Sequence, residues 1–337
     1  MTDKEIEGIA DLLSSKKRIA ITTHQFPDGD AMGSSLALYH YLINKGHEVT
    51  VVVPTHYPEF LHWIPGNEGV VNYMSHQHKA LDILEAAEVL FCLDYNEPSR
   101  TRGLSAPVAN FKGIKILIDH HPEPADFVDY TLSETKASST AELIYEFILM
   151  LKDEALIDKN VATGVYTGIM TDTGSFAYGF TTDRAHFIAG EMINAGANNR
   201  AIQNEIFNSN SEDRIRLMGH ALSERLTVLT EFHTGFIALS KEDLIRFNFQ
   251  NGDTEGLVNY IISIKGISFA VLMLEREQNV KCSFRSIGAF PANDVAQQHF
   301  KGGGHRNAAG GEYDGSLSDA VEHFRSVLVN FKAQLKD

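Results

Sequence analysis

Cysteine is nearly absent from this chain: 337 residues contain two, Cys92 and Cys282. They form no Cys-x-x-Cys pair and no disulfide framework. Both read as buried, reduced thiols on strands. No run of about 18 uninterrupted apolar residues exists, so no membrane span is expected. The segment Met1-Thr2-Asp3-Lys4-Glu5 lacks the apolar core of a signal peptide. The expected location is the cytoplasm. Positive charge is also scarce: 29 Lys and Arg stand against 44 Asp and Glu, a formal net charge of −15. That argues against a broad basic clamp on long duplex nucleic acid. A small anionic substrate stays open to the chain. Divalent cations and a few local Arg, Lys and His can reverse the potential inside one cleft.

The chain is long enough for two domains, and no internal repeat or low-complexity tract is visible. In its first half, short apolar runs alternate with helical periods. Arg18 to Thr23, Val49 to Val53, Val89 to Leu93 and Ile114 to Ile118 read as strands. Ala31 to Lys45 reads as a helix, with Met32, Leu36, Tyr39 and Leu42 on one face and Gly46 as its stop. Helical runs follow at Thr140 to Leu151 and Lys159 to Met170. The pattern predicts an α/β fold, a mostly parallel sheet with flanking helices. Ala185 to Leu229 is polar and helical and reads as a connector. Strands at Phe236 to Leu239, Ser268 to Leu274 and Val280 to Arg285 follow. With helices at Glu255 to Ile264, Asp294 to Phe300 and Ser318 to Leu335, they predict a smaller α+β C-terminal domain. The expected division is 1–185, a connector at 186–229, and 230–337.

The chemistry gathers at strand ends. Asp119-His120-His121 ends one apolar run, His24, Asp28 and Asp30 end another, and Asp94 ends a third. Asp172 follows a helical stretch. Ligands of parallel sheets bind beyond the carboxyl ends of the strands, where these residues are expected. Carboxylates mixed with imidazoles suit a divalent ion such as Mn²⁺, with Mg²⁺ as the alternative. Pro27 and Gly29 shape a turn that lets Asp28 and Asp30 face different ions. A two-metal site needs ions roughly 3.5–4 Å apart, hence a bridging carboxylate, for which Asp94 is the candidate. His120 and Asp172 would complete the second ion. The chemistry expected is metal-assisted hydrolysis of a phosphate ester.

His24-x-x-Pro27-Asp28-x-Asp30, Asp94, Asp119-His120-His121 and Asp172-Thr173-Gly174 resemble the four ordered motifs of the DHH phosphoesterases. That superfamily includes RecJ-type exonucleases and family II inorganic pyrophosphatases. The resemblance runs from about residue 18 to 180. Arg285-Ser286 and Gly302-Gly303-Gly304-His305-Arg306-Asn307-Ala308-Ala309-Gly310 resemble the DHH-associated C-terminal domain. Glu255-Gly256-Leu257-Val258-Asn259 is similar to a segment of the nanoRNase and pAp-phosphatase branch. The resemblance implies one Mn²⁺ held by His24, Asp28 and Asp94, and another by Asp30, Asp94, His120 and Asp172. It implies a catalytic His121 facing the substrate phosphate, and an Asp119 that orients a ligand imidazole. A homodimer is also implied. One departure is visible: many relatives carry Asn just before Pro27, and here Phe26 stands there, a side chain that cannot hydrogen-bond a phosphate.

Consecutive glycines let backbone N–H groups converge on an anion, and His305 and Arg306 add charge-assisted donors. With Arg285 and Ser286, which the resemblance implies lie nearby, Gly303, Gly304, His305 and Arg306 are the expected substrate-binding residues. Lys301, His76, His78 and Lys16-Lys17-Arg18 read as solvated, and Tyr57, Phe60 and Trp63 as packed apolar groups. The activity expected is hydrolysis of short RNA oligonucleotides to mononucleotides, of pAp to AMP and phosphate, or both. Rivals are a linear or cyclic dinucleotide phosphodiesterase and, from another class, an inactive nucleotide-binding sensor.

Overall fold

The computed structural model describes residues 1–178 and 181–335. Residue 180, where the first resemblance ends, and the last two residues of the expected C-terminal domain lie outside them. The chain divides into two compact units, 1–209 and 210–337.

In the first unit six strands build one sheet: β1 (Arg18–Thr22), β2 (Glu48–Val53), β3 (Val71–Asn72), β4 (Val89–Leu93), β5 (Ile114–Asp119) and β6 (Tyr130–Ser133). Their order is β3-β2-β1-β4-β5-β6, and every pairing is parallel. A parallel strand covered on both faces reads as a continuous apolar run, and Val-Leu-Phe-Cys-Leu of β4 is buried throughout. The helices are α1 (Asp3–Leu12), α2 (Gly29–Asn44), α3 (Gln77–Ala86), α4 (Ser105–Ala109), α5 (Thr140–Met150), α6 (Lys159–Asp172), α7 (Asp183–Asn194) and α8 (Asn199–Phe207). Successive strands step outward from β1 in one direction and from β4 in the other. The sheet therefore has its topological switch between β1 and β4, and ligands of such sheets bind beyond the strand ends at that point.

Helices α2 and α6 are pressed together by glycines one turn apart. A methyl group at Gly33 would stand 2.7 Å from the Gly164 carbonyl oxygen, and one at Gly168 would stand 2.7 Å from Asp30 Oδ1. The missing side chains let the two backbones approach, and that approach brings Asp30 and Asp172 to one place.

In the second unit, β7 (Leu226–Leu229), β8 (Thr234–Leu239), β9 (Phe269–Glu275), β10 (Val280–Ser286), β11 (Gly303–His305) and β12 (Ala308–Tyr313) form a mixed sheet. Its order is β11-β12-β10-β9-β8-β7, with only β8 and β9 parallel. Its helices are α9 (Glu212–His220), α10 (Lys241–Arg246), α11 (Leu257–Ile262), α12 (Ala292–His299) and α13 (Leu317–Phe331). Phe269, Phe284, Phe300 and Phe324 fill one core of this unit; Leu257, Ile261 and Leu272 fill another.

The structure departs from the expected organisation in two places. Residues 186–229 are not a free-standing connector. Ile188, Met192, Ile202 and Ile206 of α7 and α8 are buried in the core of the first unit, whereas α9 and β7 belong to the second. The run Gly303–His305 is a strand, paired to Ala308–Gly310 in a hairpin. Both cysteines are buried and free. Tyr57, Phe60 and Trp63 pack against the first unit's core, and His76 and His78 are exposed. Among the described residues no helix is long and apolar enough to cross a membrane.

Candidate metal centre

His24 follows β1, Asp94 follows β4, and Asp119 closes β5, so the switch in strand order gathers them at one edge. Asp28 caps α2, with Oδ1 accepting the N–H groups of Asp30 and Ala31 at 3.1 Å each. The same oxygen lies 3.9 Å from His24 Nε2. Asp28 is thus both a helix cap and a member of the cluster. Asp94 sits at φ 63, a left-handed conformation that Asp tolerates better than most residues. That turn splits its carboxylate between two imidazoles: Oδ2 is 3.3 Å from His24 Nε2, and Oδ1 is 3.6 Å from His120 Nε2. His120 Nε2 also lies 3.5 Å from Asp172 Oδ2 and 3.9 Å from Asp30 Oδ2. Potential ligand atoms of His24, Asp28 and Asp94 fall within 4.8 Å of one another, as do those of Asp30, His120 and Asp172, and those of Asp94, Asp119 and His121.

The imidazoles are oriented from behind. His24 Nδ1 bonds the Gln25 carbonyl at 2.7 Å and His120 Nδ1 the Ala137 carbonyl at 3.3 Å, so both turn Nε2 toward the carboxylates. Asp119 holds His121, not His120: its Oδ1 is 2.8 Å from His121 Nδ1.

One support was not legible in the chain. The N-terminus of α5 is aimed at Asp30, whose Oδ2 accepts the Thr140 N–H at 2.6 Å and whose Oδ1 accepts the Ala141 N–H at 2.9 Å. Thr140 Oγ1 also donates to Asp94 Oδ1 at 2.9 Å. The Ser138-Ser139-Thr140 cap ahead of an apolar helix is the signal that could have found it.

The electrostatics show what the cluster lacks. Asp30 is 2% exposed. Burial, joined by the charges of Asp94, Asp172 and Asp28, raises its carboxyl well above the ordinary range. Burial alone would lower His24, but the Asp94 hydrogen bond and the charges of Asp28 and Asp94 raise it to about 9. His120 is raised as well: burial opposes this, and Asp172, Asp94 and Asp119 outweigh it. Buried Asp94 is held well below the carboxylate range by His24, His121 and His120. Crowded anions that push up each other's proton affinity are an environment a divalent cation relieves, and the oxygen and imidazole donors fit a hard or borderline ion.

The expected substrate residues lie in the second unit. The two-residue period of β10 leaves Lys281, Ser283 and Arg285 half-buried on one face and buries Ser286 on the other. Ser286 Oγ donates to the Phe290 carbonyl at 2.6 Å and accepts from Asn307 Nδ2 at 2.8 Å, so it braces a turn and does not accompany Arg285. Arg306 is exposed in the hairpin turn, and its Nη2 donates to the Ala289 carbonyl at 2.7 Å. Arg285 and His305 stand on strands flanking β12, opposite the same residue, Ala308. Packing explains two glycines: a methyl group at Gly302 would strike the Gly310 carbonyl, and Gly304 has φ +139. At Gly303 the nearest atom to a methyl group is 3.9 Å away, so nothing in the packing requires glycine there. Lys301 pairs with Asp314.

Fold and donor set define a class: an α/β protein whose strand ends present groups able to hold divalent cations. Residues 18–169 match the DHH family, N-terminal domain, and residues 233–333 match the DHHA1 domain. The chain belongs to the DHH family of phosphoesterases. It is 33% identical to the bifunctional oligoribonuclease and PAP phosphatase NrnA of Thermus thermophilus, over 90% of this chain and 87% of that protein. To the NrnA of Bacillus subtilis it is 28% identical, over 87% of this chain and 88% of that protein. The crystal structure of an exopolyphosphatase-related protein from Bacteroides fragilis is similar at TM-score 0.95 and 39% identity, covering 100% of this chain and 98% of that one.

Proposed function

We propose that this protein hydrolyses short RNA oligonucleotides to mononucleotides and pAp to AMP and phosphate, in the cytoplasm, with two divalent cations, Mn²⁺ favoured. The observation that carries the reading is Asp94, a buried carboxylate that turns one oxygen to His24 and the other to His120. A carboxylate so divided suits a pair of cations better than a single one. Likeness to two enzymes named oligoribonuclease and PAP phosphatase supports the substrate class.

His24, Asp28 and Asp94 would hold one cation, and Asp30, Asp94, His120 and Asp172 the other. Bound there, the cations would supply an acidified water and neutralise the reacting phosphate. The Gln25 and Ala137 carbonyls keep the proton of each imidazole on Nδ1, leaving Nε2 as a donor pair for a cation. The α5 amides hold Asp30 in one orientation. Asp119 fixes the ring of His121, whose Nε2 would steady the substrate phosphate and give a proton to the leaving oxygen. Arg285, Gly303, Gly304 and His305 would grip a terminal phosphate or nucleotide. One such grip suits a short strand, and long duplex is not the proposed partner.

The test is a product assay on purified protein with Mn²⁺ or Mg²⁺. It offers pAp, di- to pentaribonucleotides, cyclic dinucleotides and pyrophosphate. Mononucleotides from the short RNAs and AMP from pAp are expected. Preferential release from pyrophosphate would overturn the assignment.

A further inference from the structure

Phe26 stands between His24 and Asp28, on the turn that leads from β1 into α2. Its backbone is at φ 54, a left-handed conformation that Asn tolerates and an aromatic residue adopts under strain. Buried Thr55 and the loop after β4 hold it there: Phe26 N–H donates to Thr55 Oγ1 at 2.6 Å, and Gln25 N–H donates to the Arg100 carbonyl at 2.8 Å. The ring is half-buried, and it is absent from both apolar cores of the first unit among the described residues. A cation lies over the ring: the guanidinium of exposed Arg102 is 5.5 Å from its centroid. Arg102 itself sits at φ 51, ψ −114. Two strained residues from separate loops thus meet, cation over ring, on the loop that carries His24 and Asp28.

We propose that Phe26 and Arg102 form a platform on which a nucleobase of the substrate stacks, an inference that rests on the nucleotide reading above. Guanidinium planes and aromatic rings are the surfaces on which unpaired bases stack, with little regard to sequence. An acid-rich cluster gives a neutral base no electrostatic hold. A stack beside it supplies a grip that inorganic pyrophosphate cannot use. The base lies on the outer face of the guanidinium, with the Phe26 ring behind it.

The test compares a diribonucleotide with the same compound lacking one base, using wild type, Phe26→Asn, Phe26→Tyr and Arg102→Ala. Wild type and Phe26→Tyr should prefer the intact compound by about tenfold in kcat/KM. Phe26→Asn and Arg102→Ala should bring the ratio near one. Asn suits the left-handed backbone, so Phe26→Asn should melt no lower than wild type, which separates a lost stack from a lost fold. Calorimetry of AMP against ribose 5-phosphate reads the same preference without turnover. A preference for AMP that both substitutions abolish, in a protein that cleaves no oligonucleotide, would support the stack and sink the proposed activity. Unchanged preferences in both substitutions, with turnover intact, would sink the stack alone.

Discussion

Each unit of this protein contains an aspartate–histidine cluster, and the two are built to opposite ends. In the second unit Asp243, 4% exposed, accepts two bonds from the Arg225 guanidinium at 2.8 Å each and one from His220 Nε2 at 2.8 Å. Its charge is met by a fixed cation. Burial would raise its carboxyl, but Arg225, the Ser240 N–H and His220 outweigh that and hold it at about 2. In the first unit, Asp30 and Asp94 take helix amides, a threonine hydroxyl and imidazoles, and among the described residues no Arg or Lys bonds to either. Identical residue types close a structural joint in one place and leave a deficit of positive charge in the other. What fits the first cluster to a cation is that deficit, not the presence of His beside Asp.

The comparison breaks most sharply at Asp94. Asp94→Asn removes the divided carboxylate, and kcat/KM with Mn²⁺ should fall roughly a thousandfold while the fold, read by circular dichroism, stays. A loss under tenfold would mean that Asp94 does not join the two halves of the cluster. Next in size is the cation itself. Mn²⁺ at about 100 times its dissociation constant should stabilise the first unit by about 2.7 kcal/mol. The chain's only tryptophan, Trp63, lies in that unit, so its fluorescence during melting reports the effect, which Asp94→Asn should largely erase. A smaller effect is expected at the self-neutralised cluster. Arg225→Met leaves buried Asp243 short of its main partner and should cost about 2 kcal/mol, allowing for the half-exposed guanidinium. Adding Asp243→Leu should restore much of that loss, and neither change should alter the Mn²⁺ shift seen through Trp63.

How much of this was visible in the chain depends on which side chains carry a period. Strands β1, β4 and β5 are central, buried on both faces, and announce themselves as apolar runs ending in His24, Asp94 and Asp119. Strand β3 is two residues long and β6 is a half-polar edge, so neither shows as such a run. The hairpin of β11 and β12 was hidden because glycines carry no side chain to alternate. Helices α7 and α8 bury a narrow stripe and expose the rest, which reads as a connector until the core beneath is known. The candidate donors were legible because motif spacing marks them. Their supports were not, since the α5 amides and the glycines that join α2 to α6 act between segments more than a hundred residues apart. The doubled Gly-x-x-x-Gly, Gly29/Gly33 and Gly164/Gly168, was the available sign. The chain sets Ser286 beside Arg285, but a strand's two-residue period turns the two to opposite faces.

The smallest expected effect, and the most discriminating, is the response to pH, which should run in opposite directions in the two clusters. Asp243 has a folded pKa of about 2, below its ordinary value near 3.9. Its stabilisation is therefore complete above pH ~4 and is lost as the pH falls toward 2. His24 is raised to about 9, so without cations its contribution is complete below pH ~6.5 and is lost as the pH rises through 9. Asp30, also raised, acts in the same direction, because alkali forces a charge onto a carboxyl crowded by other anions. In EDTA, then, Trp63-detected melting should fall between pH 6.5 and 9, while hydrogen-exchange protection across residues 217–246, taken relative to the intrinsic rate at each pH, stays flat and falls only in acid. Mn²⁺ bound there would replace the proton as the compensating charge, so adding it should flatten the alkaline slope and leave the acid one untouched. An alkaline slope that persists in saturating Mn²⁺ would place the titrating groups outside the cation site and dissolve the contrast between the two clusters.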